Sequence, residues 1–149
     1  MAFTALDVKK LREQTGCGMM DCKKALTESD GDFDKAVEYL REKGLAAAAK
    51  KAGRIAAEGM VYAAADVANK VGVVIEVNCE TDFAAGTDVF KNTVKALAEA
   101  VAVNDPADVE ALKACKYPGT DLTITEVMQD RVMSIGENLQ IRRFARYPE

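Results

Sequence analysis

The sequence contains no histidine among its 149 residues, and this absence excludes several kinds of active site. A Ser-His-Asp triad, a Cys-His pair and a His-ligated metal site all require a neutral imidazole. The cysteines form no C-x-x-C pair, and their irregular spacing is typical of neither a zinc site nor a dense disulfide framework. We therefore expect Cys17, Cys22, Cys79 and Cys115 to be reduced thiols that pack as small hydrophobic side chains.

The sequence also lacks long apolar runs and is poor in proline. No uncharged apolar stretch approaches the 18 or more residues that a membrane-spanning helix needs, and the first ten residues carry charge where a signal peptide would be apolar. Only 3 proline and 10 glycine residues, with a hydrophobic content of 49%, exclude disordered and collagen-like chains. The composition predicts a soluble, cytoplasmic protein of one domain or two small ones, with no membrane partner.

Positive charge is in short supply and is unevenly distributed. The net charge is −4, and it divides into 11 basic and 9 acidic groups over residues 1–54 against 9 and 15 over residues 55–149. A weakly basic N-terminal part followed by an acidic remainder is unfavourable for direct binding to nucleic acid, because such binding requires concentrated positive charge to displace counterions. The charge distribution therefore favours a protein partner.

Helical periodicity dominates the start of the chain. A capping box formed by Thr4 and Asp7 predicts a first helix that ends at Thr15. Gly16 and its neighbours break the chain, and a second helix is expected over about residues 19–28. These two helices predict a compact helical module.

A third helix is predicted to begin after Asp32, whose side chain can cap it. Its apolar residues recur at i, i+3, i+4 and i+7, and the helix is expected to end at Gly44. Residues 1–44 thus predict a three-helix domain. The alanine- and lysine-rich residues 45–57 predict a helical linker, because they have high helix propensity but few large side chains for a core.

The apolar period changes from 3.6 to 2 after the linker. Residues 60–65 and 71–79 are typical of strands, and Asn69 and Lys70 between them predict an antiparallel hairpin. The run from Cys79 to Gly86 is too broken for a strand and too poor in caps for a buried helix. We expect this run to form a turn between the hairpin and the next helix.

Further helices are expected after the hairpin. They are predicted to begin at Asp88, at Asp105-Pro106 and at Thr125, and an extended segment follows over residues 139–144. The fold class is therefore predicted to be α+β, with residues 58–149 forming a core subdomain of a hairpin and helices.

Four acidic residues lie close together in sequence and could form an acid/base pair or a magnesium site: Glu76, Glu80, Asp82 and Asp88. Strand alternation places Glu76 and Glu80 opposite the apolar stripe, so we expect both to be solvated. Phe83 follows Asp82 in the turn, and an exposed aromatic side chain there is unfavourable unless it is buried in the core or in a partner. The residues alone do not decide whether the Phe83 ring is buried in the core or in a partner.

Three motifs resemble one known family. Residues 8–26, read as VKKLREQTGCGMMDCKKAL, resemble the start of the elongation factor Ts family, and residues 76–83, EVNCETDF, resemble its central motif. Residues 135–138, IGEN, followed by 141–143, IRR, resemble its third motif. The resemblance implies that the three-helix domain is ubiquitin-associated-like. It also implies that longer relatives continue into a second core subdomain, so we expect this chain to lack most of it.

The resemblance implies guanine-nucleotide exchange on elongation factor Tu, with no cofactor, no metal and no catalytic residue in this chain. Thr81, Asp82, Phe83 and Ala84 would form the segment that disturbs the partner's magnesium site, with the Phe83 ring as the inserted wedge. The resemblance implies that Arg12, Met19 and Met20 dock on the nucleotide-binding domain of the partner. It implies that Ile135 and Gly136 lie beside the Phe83 segment and press near the partner's phosphate loop. Homo-oligomerisation is left open.

Two other functions are consistent with the residues. The protein could be a ubiquitin-associated-like interaction module that binds a partner without provoking exchange, or an enzyme that uses the Asp82 region with magnesium. Nucleotide release from elongation factor Tu distinguishes these functions from exchange.

Overall fold

A computed structural model describes residues 3–15 and 17–148, which form seven helices and a three-stranded antiparallel sheet. The predicted α+β class is confirmed, whereas the predicted break at Gly16 lies outside the described residues. None of the helices in the described ranges is both long and apolar enough to span a bilayer. The elements are α1 (Ala5–Thr15), α2 (Met19–Glu28), α3 (Phe33–Lys51), β1 (Glu58–Asp66), β2 (Val71–Cys79), α4 (Asp82–Ala85), α5 (Asp88–Asn104), α6 (Val109–Ala114), α7 (Ile124–Ile135) and β3 (Gln140–Pro148).

The chain divides into two compact units. The first comprises the residues up to Ala52 together with Met128–Gly136, and the second comprises Gly53–Val127 together with the residues from Glu137 onward. This division follows contacts within the folded chain, so the sequence-based boundaries at residues 44 and 57 stay a prediction about independently folding parts.

The first unit begins with the predicted capping box. The backbone N–H of Thr4 donates to the Asp7 carboxylate over 2.8 Å, and the Asp7 N–H donates to the Thr4 hydroxyl over 3.4 Å. These reciprocal bonds satisfy N–H groups that have no partner at the start of α1. Helices α1, α2 and α3 enclose a core whose fully buried members include Leu11, Leu26 and Leu40.

Helix α3 is longer than the sequence predicted. Asp32 caps it as expected, since its carboxylate accepts from the Lys35 N–H over 3.1 Å. The expected end at Gly44 is wrong, because α3 continues to Lys51 and takes in the first part of the predicted linker. Gly44 is buried, and a Cβ atom there would lie 3.3 Å from the Gln129 carbonyl oxygen. The glycine thus permits close packing inside the helix instead of ending it.

The second unit is built on the sheet, in the order β1-β2-β3. Strands β1 and β2 form the predicted antiparallel hairpin, and β3 pairs with the other side of β2 with a register shift at Glu76 and Val77. Alternate residues of β2 are buried on the face that packs against α5, namely Val71, Val73, Ile75 and Val77. The apolar stripe of α5 supplies the other half of this core.

Two helix starts differ from the prediction. Asp105 does not begin a helix, because it ends α5 in a left-handed conformation with φ of 46°. Helix α6 begins after Asp108, whose carboxylate accepts from the Ala111 N–H over 2.8 Å. Aspartate tolerates the left-handed region better than most residues, so an Asp-Pro pair served here as the end of one helix instead of the start of the next.

Helix α7 is capped two residues earlier than predicted. The Thr123 hydroxyl accepts from the Glu126 N–H over 3.2 Å, which is the bond expected of an N-cap. The Thr125 hydroxyl instead donates to the Lys113 carbonyl over 3.1 Å. Both threonines precede the same apolar run, so the sequence could not distinguish them.

Candidate functional site

The predicted turn between β2 and α5 contains one short helix, α4. The Thr81 hydroxyl accepts from the Ala84 N–H over 3.2 Å and caps α4. Thr87 caps α5 in the same way by accepting from the Phe90 N–H over 3.3 Å. Two threonine caps therefore set the path of the chain from the sheet to the long helix.

The Glu137 carboxylate holds the start of this turn. One of its oxygens accepts from the N–H groups of Glu80 and Thr81, each over 3.0 Å. The other oxygen accepts from the Thr81 hydroxyl over 2.6 Å. Hydrogen bonds to an ionised acceptor are stronger than neutral ones, so this single carboxylate fixes both the backbone and the capping side chain of the turn.

The Glu80 carboxylate makes the reciprocal contact. It accepts from the Asn138 N–H over 2.7 Å and lies 3.5 Å from the Arg54 guanidinium. The Asn138 side chain is buried and donates to the Arg54 carbonyl over 2.8 Å. We call Arg54, Glu80, Glu137 and Asn138 the carboxylate clasp.

The turn presents one large apolar side chain to solvent. Phe83 is 83% exposed, whereas Ala84 beside it is only 3% exposed and anchors α4 to the interior. Asp82 is also exposed. Burial of the ring in the protein's own core, one of the two fates left open by the sequence, is therefore excluded. Its insertion into a partner stays a prediction.

The expectation that Glu76 and Glu80 are solvated is wrong. The side chains are 22% and 20% exposed, and each pairs with an arginine. Glu76 accepts from the Asn78 amide over 3.2 Å and from Arg143 over 2.8 Å, and these bonds lower the pKa of its carboxyl group below the ordinary value of 4.5. Strand alternation assigns a face correctly but does not reveal the neighbouring strand's arginine.

The other predicted contact residues lie in the first unit. Arg12 is exposed on α1, and Met19 and Met20 are 53% and 74% exposed at the start of α2. Ile135 is half-buried at the end of α7, and Gly136 follows it with φ of 84°, a left-handed conformation that favours glycine. The roles assigned to these five residues stay predictions.

Sequence reasoning missed the carboxylate clasp. Glu137 and Asn138 stand in the third motif and Glu80 in the second, but a hydrogen bond across 57 or 58 positions leaves no periodic signal in one sequence. Across residues 3–15 and 17–148, no group of three or more cysteine, aspartate or glutamate side chains is arranged as a metal site.

Comparison with known proteins places the chain among similar sequences. The sequence model of a family described as Elongation factor TS matches residues 80–149. The chain is 55% identical over 142 residues to an elongation factor Ts of Clostridium novyi, covering 95% of this chain and 46% of that protein. It is 50% identical over 148 residues to the elongation factor Ts of Trichlorobacter lovleyi, covering 99% and 48%. The chain therefore spans about half the length of the curated relatives it matches.

Proposed function

This chain belongs to the elongation factor Ts family, and on that premise we propose that it binds elongation factor Tu and promotes the exchange of GDP for GTP. The activity would serve the elongation phase of protein synthesis in the cytoplasm. The observation that carries the proposal is the exposed Phe83 ring on a turn that the carboxylate clasp holds in place.

In the proposed mechanism, the Phe83 ring enters the partner and the turn displaces ligands of the partner's magnesium ion. Thr81, Asp82 and Ala84 shape the turn and accompany the ring. The ion is a large local charge that bridges protein and phosphate, so a small shift of its ligands weakens the hold on the nucleotide. Because the turn is already ordered before binding, less conformational entropy is lost when the Phe83 ring is buried in the partner.

Exchange of this kind requires only differential binding. A factor that binds the nucleotide-free partner more tightly than the loaded partner must, by linkage, weaken nucleotide binding by the same factor. The chain then needs no acid, base or metal of its own. The first unit would supply affinity, with Met19 and Met20 as apolar contacts and Arg12 as a charged contact, while Ile135 and Gly136 would contribute a further contact.

Release of a fluorescent guanine nucleotide from elongation factor Tu tests the proposal. The chain should accelerate release, and Phe83→Ala should reduce the acceleration about thirtyfold or more, because removing an aromatic anchor from an interface commonly costs about 2 kcal/mol or more. Val103→Ala is a matched control, since Val103 is 70% exposed near the end of α5. Release that is unaffected by the wild-type chain would refute exchange by this chain.

The exposed methionines favour a second candidate function, a ubiquitin-associated-like module that binds without exchange. Met19→Ala together with Met20→Ala should weaken binding under either hypothesis. Binding that persists in the Phe83→Ala variant, with no acceleration of release by the wild type, would identify the module.

A further inference from the structure

Strand β1 is an open edge of the sheet. It lies at one side of the order β1-β2-β3, and its nine residues pair with β2 in a continuous register without a bulge. Residues 59–65 contain no charged residue and no proline. Within the described part of the chain, the backbone of this segment forms hydrogen bonds with β2 alone, so its outward N–H and C=O groups can accept another strand.

The opposite edge of the same sheet is protected. Strand β3 carries Arg142, Arg143 and Arg146, has a register shift where it passes Glu76 and Val77, and ends at a proline. Charged side chains, bulges and proline are the features by which natural sheets prevent edge pairing. The sequence therefore supplies these features along β3 and omits them from residues 59–65 of β1, which leaves the middle of the β1 edge open to pairing.

The side chains of β1 favour an extended apolar partner. Val61 is 67% exposed, and Ala63 and Ala65 are exposed on the same face because they follow at intervals of two. Small and β-branched residues leave the backbone accessible to an incoming strand. A strand with alternating apolar residues would cover this row.

Charge determines which strand can bind. Glu58 and Asp66 stand at the two ends of β1. A second copy paired antiparallel about Tyr62 would place Glu58 of each copy opposite Asp66 of the other, and like charges directly opposite each other are destabilising. Basic residues at those two positions would instead form favourable cross-strand pairs.

We propose that the β1 edge binds an extended segment of a partner protein, apolar at alternate positions and basic at both ends, which adds a fourth strand to the sheet. The binding mode is strand addition, in which backbone hydrogen bonds provide affinity and the flanking charges provide selectivity. The proposal requires neither the Phe83 ring nor the exposed methionines, so it stands whether or not the chain promotes exchange.

A designed peptide tests the proposal on the full chain. The probe is a fluorescent nine-residue peptide with lysine at both ends and alternating valine and threonine between them, and fluorescence anisotropy measures its binding. Saturable binding is expected, and methylation of alternate backbone nitrogens on the peptide should abolish it by removing the donors. Equal binding of the methylated peptide would mean simple charge attraction and would overturn strand addition, as would the absence of binding.

Two substitutions at one exposed position provide the matched comparison. Ala63→Lys should weaken binding of the basic peptide about tenfold, because lysine on an edge strand opposes pairing and repels the peptide. Ala63→Glu should preserve or strengthen binding, and Val103→Lys should leave it unchanged while altering the net charge equally. Sedimentation velocity on the same variants tests whether a second copy of this chain binds the β1 edge instead. A wild-type dimer that Ala63→Lys dissociates would show that it does and would refute the proposal.

Discussion

At the scale of the single residue, the Glu137 carboxylate has the largest local effect on the candidate site. It accepts three hydrogen bonds, two from backbone N–H groups and one from the Thr81 hydroxyl. The Thr81 hydroxyl both donates to Glu137 and caps α4, so loss of the Glu137 carboxylate should also disturb the cap. The position of the exposed Phe83 ring therefore depends on Glu137 through the Thr81 cap.

Glu137→Ala is expected to destabilise the chain and to loosen the turn. Hydrogen bonds to charged groups contribute about 1.5–3 kcal/mol each in favourable cases, but this site is partly exposed, so the expected loss in the free energy of unfolding is about 1–2 kcal/mol in total. Urea unfolding measures it. Glu110→Ala is the control, because the Glu110 side chain is 82% exposed and forms a surface ion pair with Lys113 over 3.2 Å. An equal effect of the two substitutions would contradict the assigned role.

The cysteines should differ sharply in reactivity. Burial raises the pKa of the Cys17, Cys22 and Cys79 thiols above the ordinary value of 9.0, so less thiolate is present at a given pH. Cys115 is half-buried. Iodoacetamide at pH 8 should therefore modify Cys115 first, and mass spectrometry should find the other three modified only after denaturant is added. Early modification of Cys79 would show that the turn opens readily.

At the scale of the element, Gly59 fixes how β1 meets β2. Its φ is 149°, in the range that favours glycine, and a Cβ atom there would collide with the Val77 carbonyl oxygen. Gly59→Ala should lower the free energy of unfolding by about 1–3 kcal/mol, as expected for strain at a special backbone conformation. Gly53→Ala is the control, since a Cβ atom there meets nothing within 4 Å. Thermal unfolding followed by circular dichroism gives both values.

The sequence predicted elements well where the signal is local. The capping box at Thr4, the bounds of α2 and the buried face of β2 all depend on residues a few positions apart, and all three agree with the structure. The errors fall where local chemistry is ambiguous. Gly44 could end a helix or permit close packing, and only the Gln129 backbone beside it decides.

The sequence indicated the unusual Phe83 side chain of the candidate site but not the hydrogen bonds that hold its turn. The unusual feature of Phe83, an aromatic residue in a polar turn, is visible in the sequence. The contacts of Glu80 with Asn138 and of Glu137 with Thr81 join positions 58 and 56 residues apart. Without knowledge of which strands pair, a single sequence could not show that these polar groups meet.

At the scale of the whole molecule, neither unit is a single continuous stretch of the sequence. Residues Met128–Gly136 belong to the first unit although they lie far along the sequence. Met133 packs against the core of the first three helices, and its sulfur lies 4.0 Å from that of Cys17. A fragment of residues 1–44 would lack this contact, and the domain boundary at residue 44 stays a prediction.

The pH dependence of stability follows from the titratable groups of the whole chain. With no histidine, no side chain has an ordinary pKa near neutrality, so the free energy of unfolding should be nearly constant between about pH 5.5 and 7. Hydrogen bonds from Thr4 and from Asn69 lower the pKa values of Asp7 and Asp66 below 3.8, as Asn78 and Arg143 do for Glu76 below 4.5. Such groups bind protons more readily when unfolded, so they favour folding above those ordinary values.

This stability should be lost as the pH falls through the lowered pKa values of the folded state. A second loss of stability should begin above pH 9, because the buried thiols ionise more readily in the unfolded chain than in the folded one. Urea midpoints measured from pH 3 to 10 should thus form a plateau with two declining limbs. Glu76→Gln removes one linked group, so its acid limb should be shallower than that of the wild type. An acid limb of unchanged slope would show that the contacts of Glu76 with Asn78 and Arg143 contribute nothing to folding.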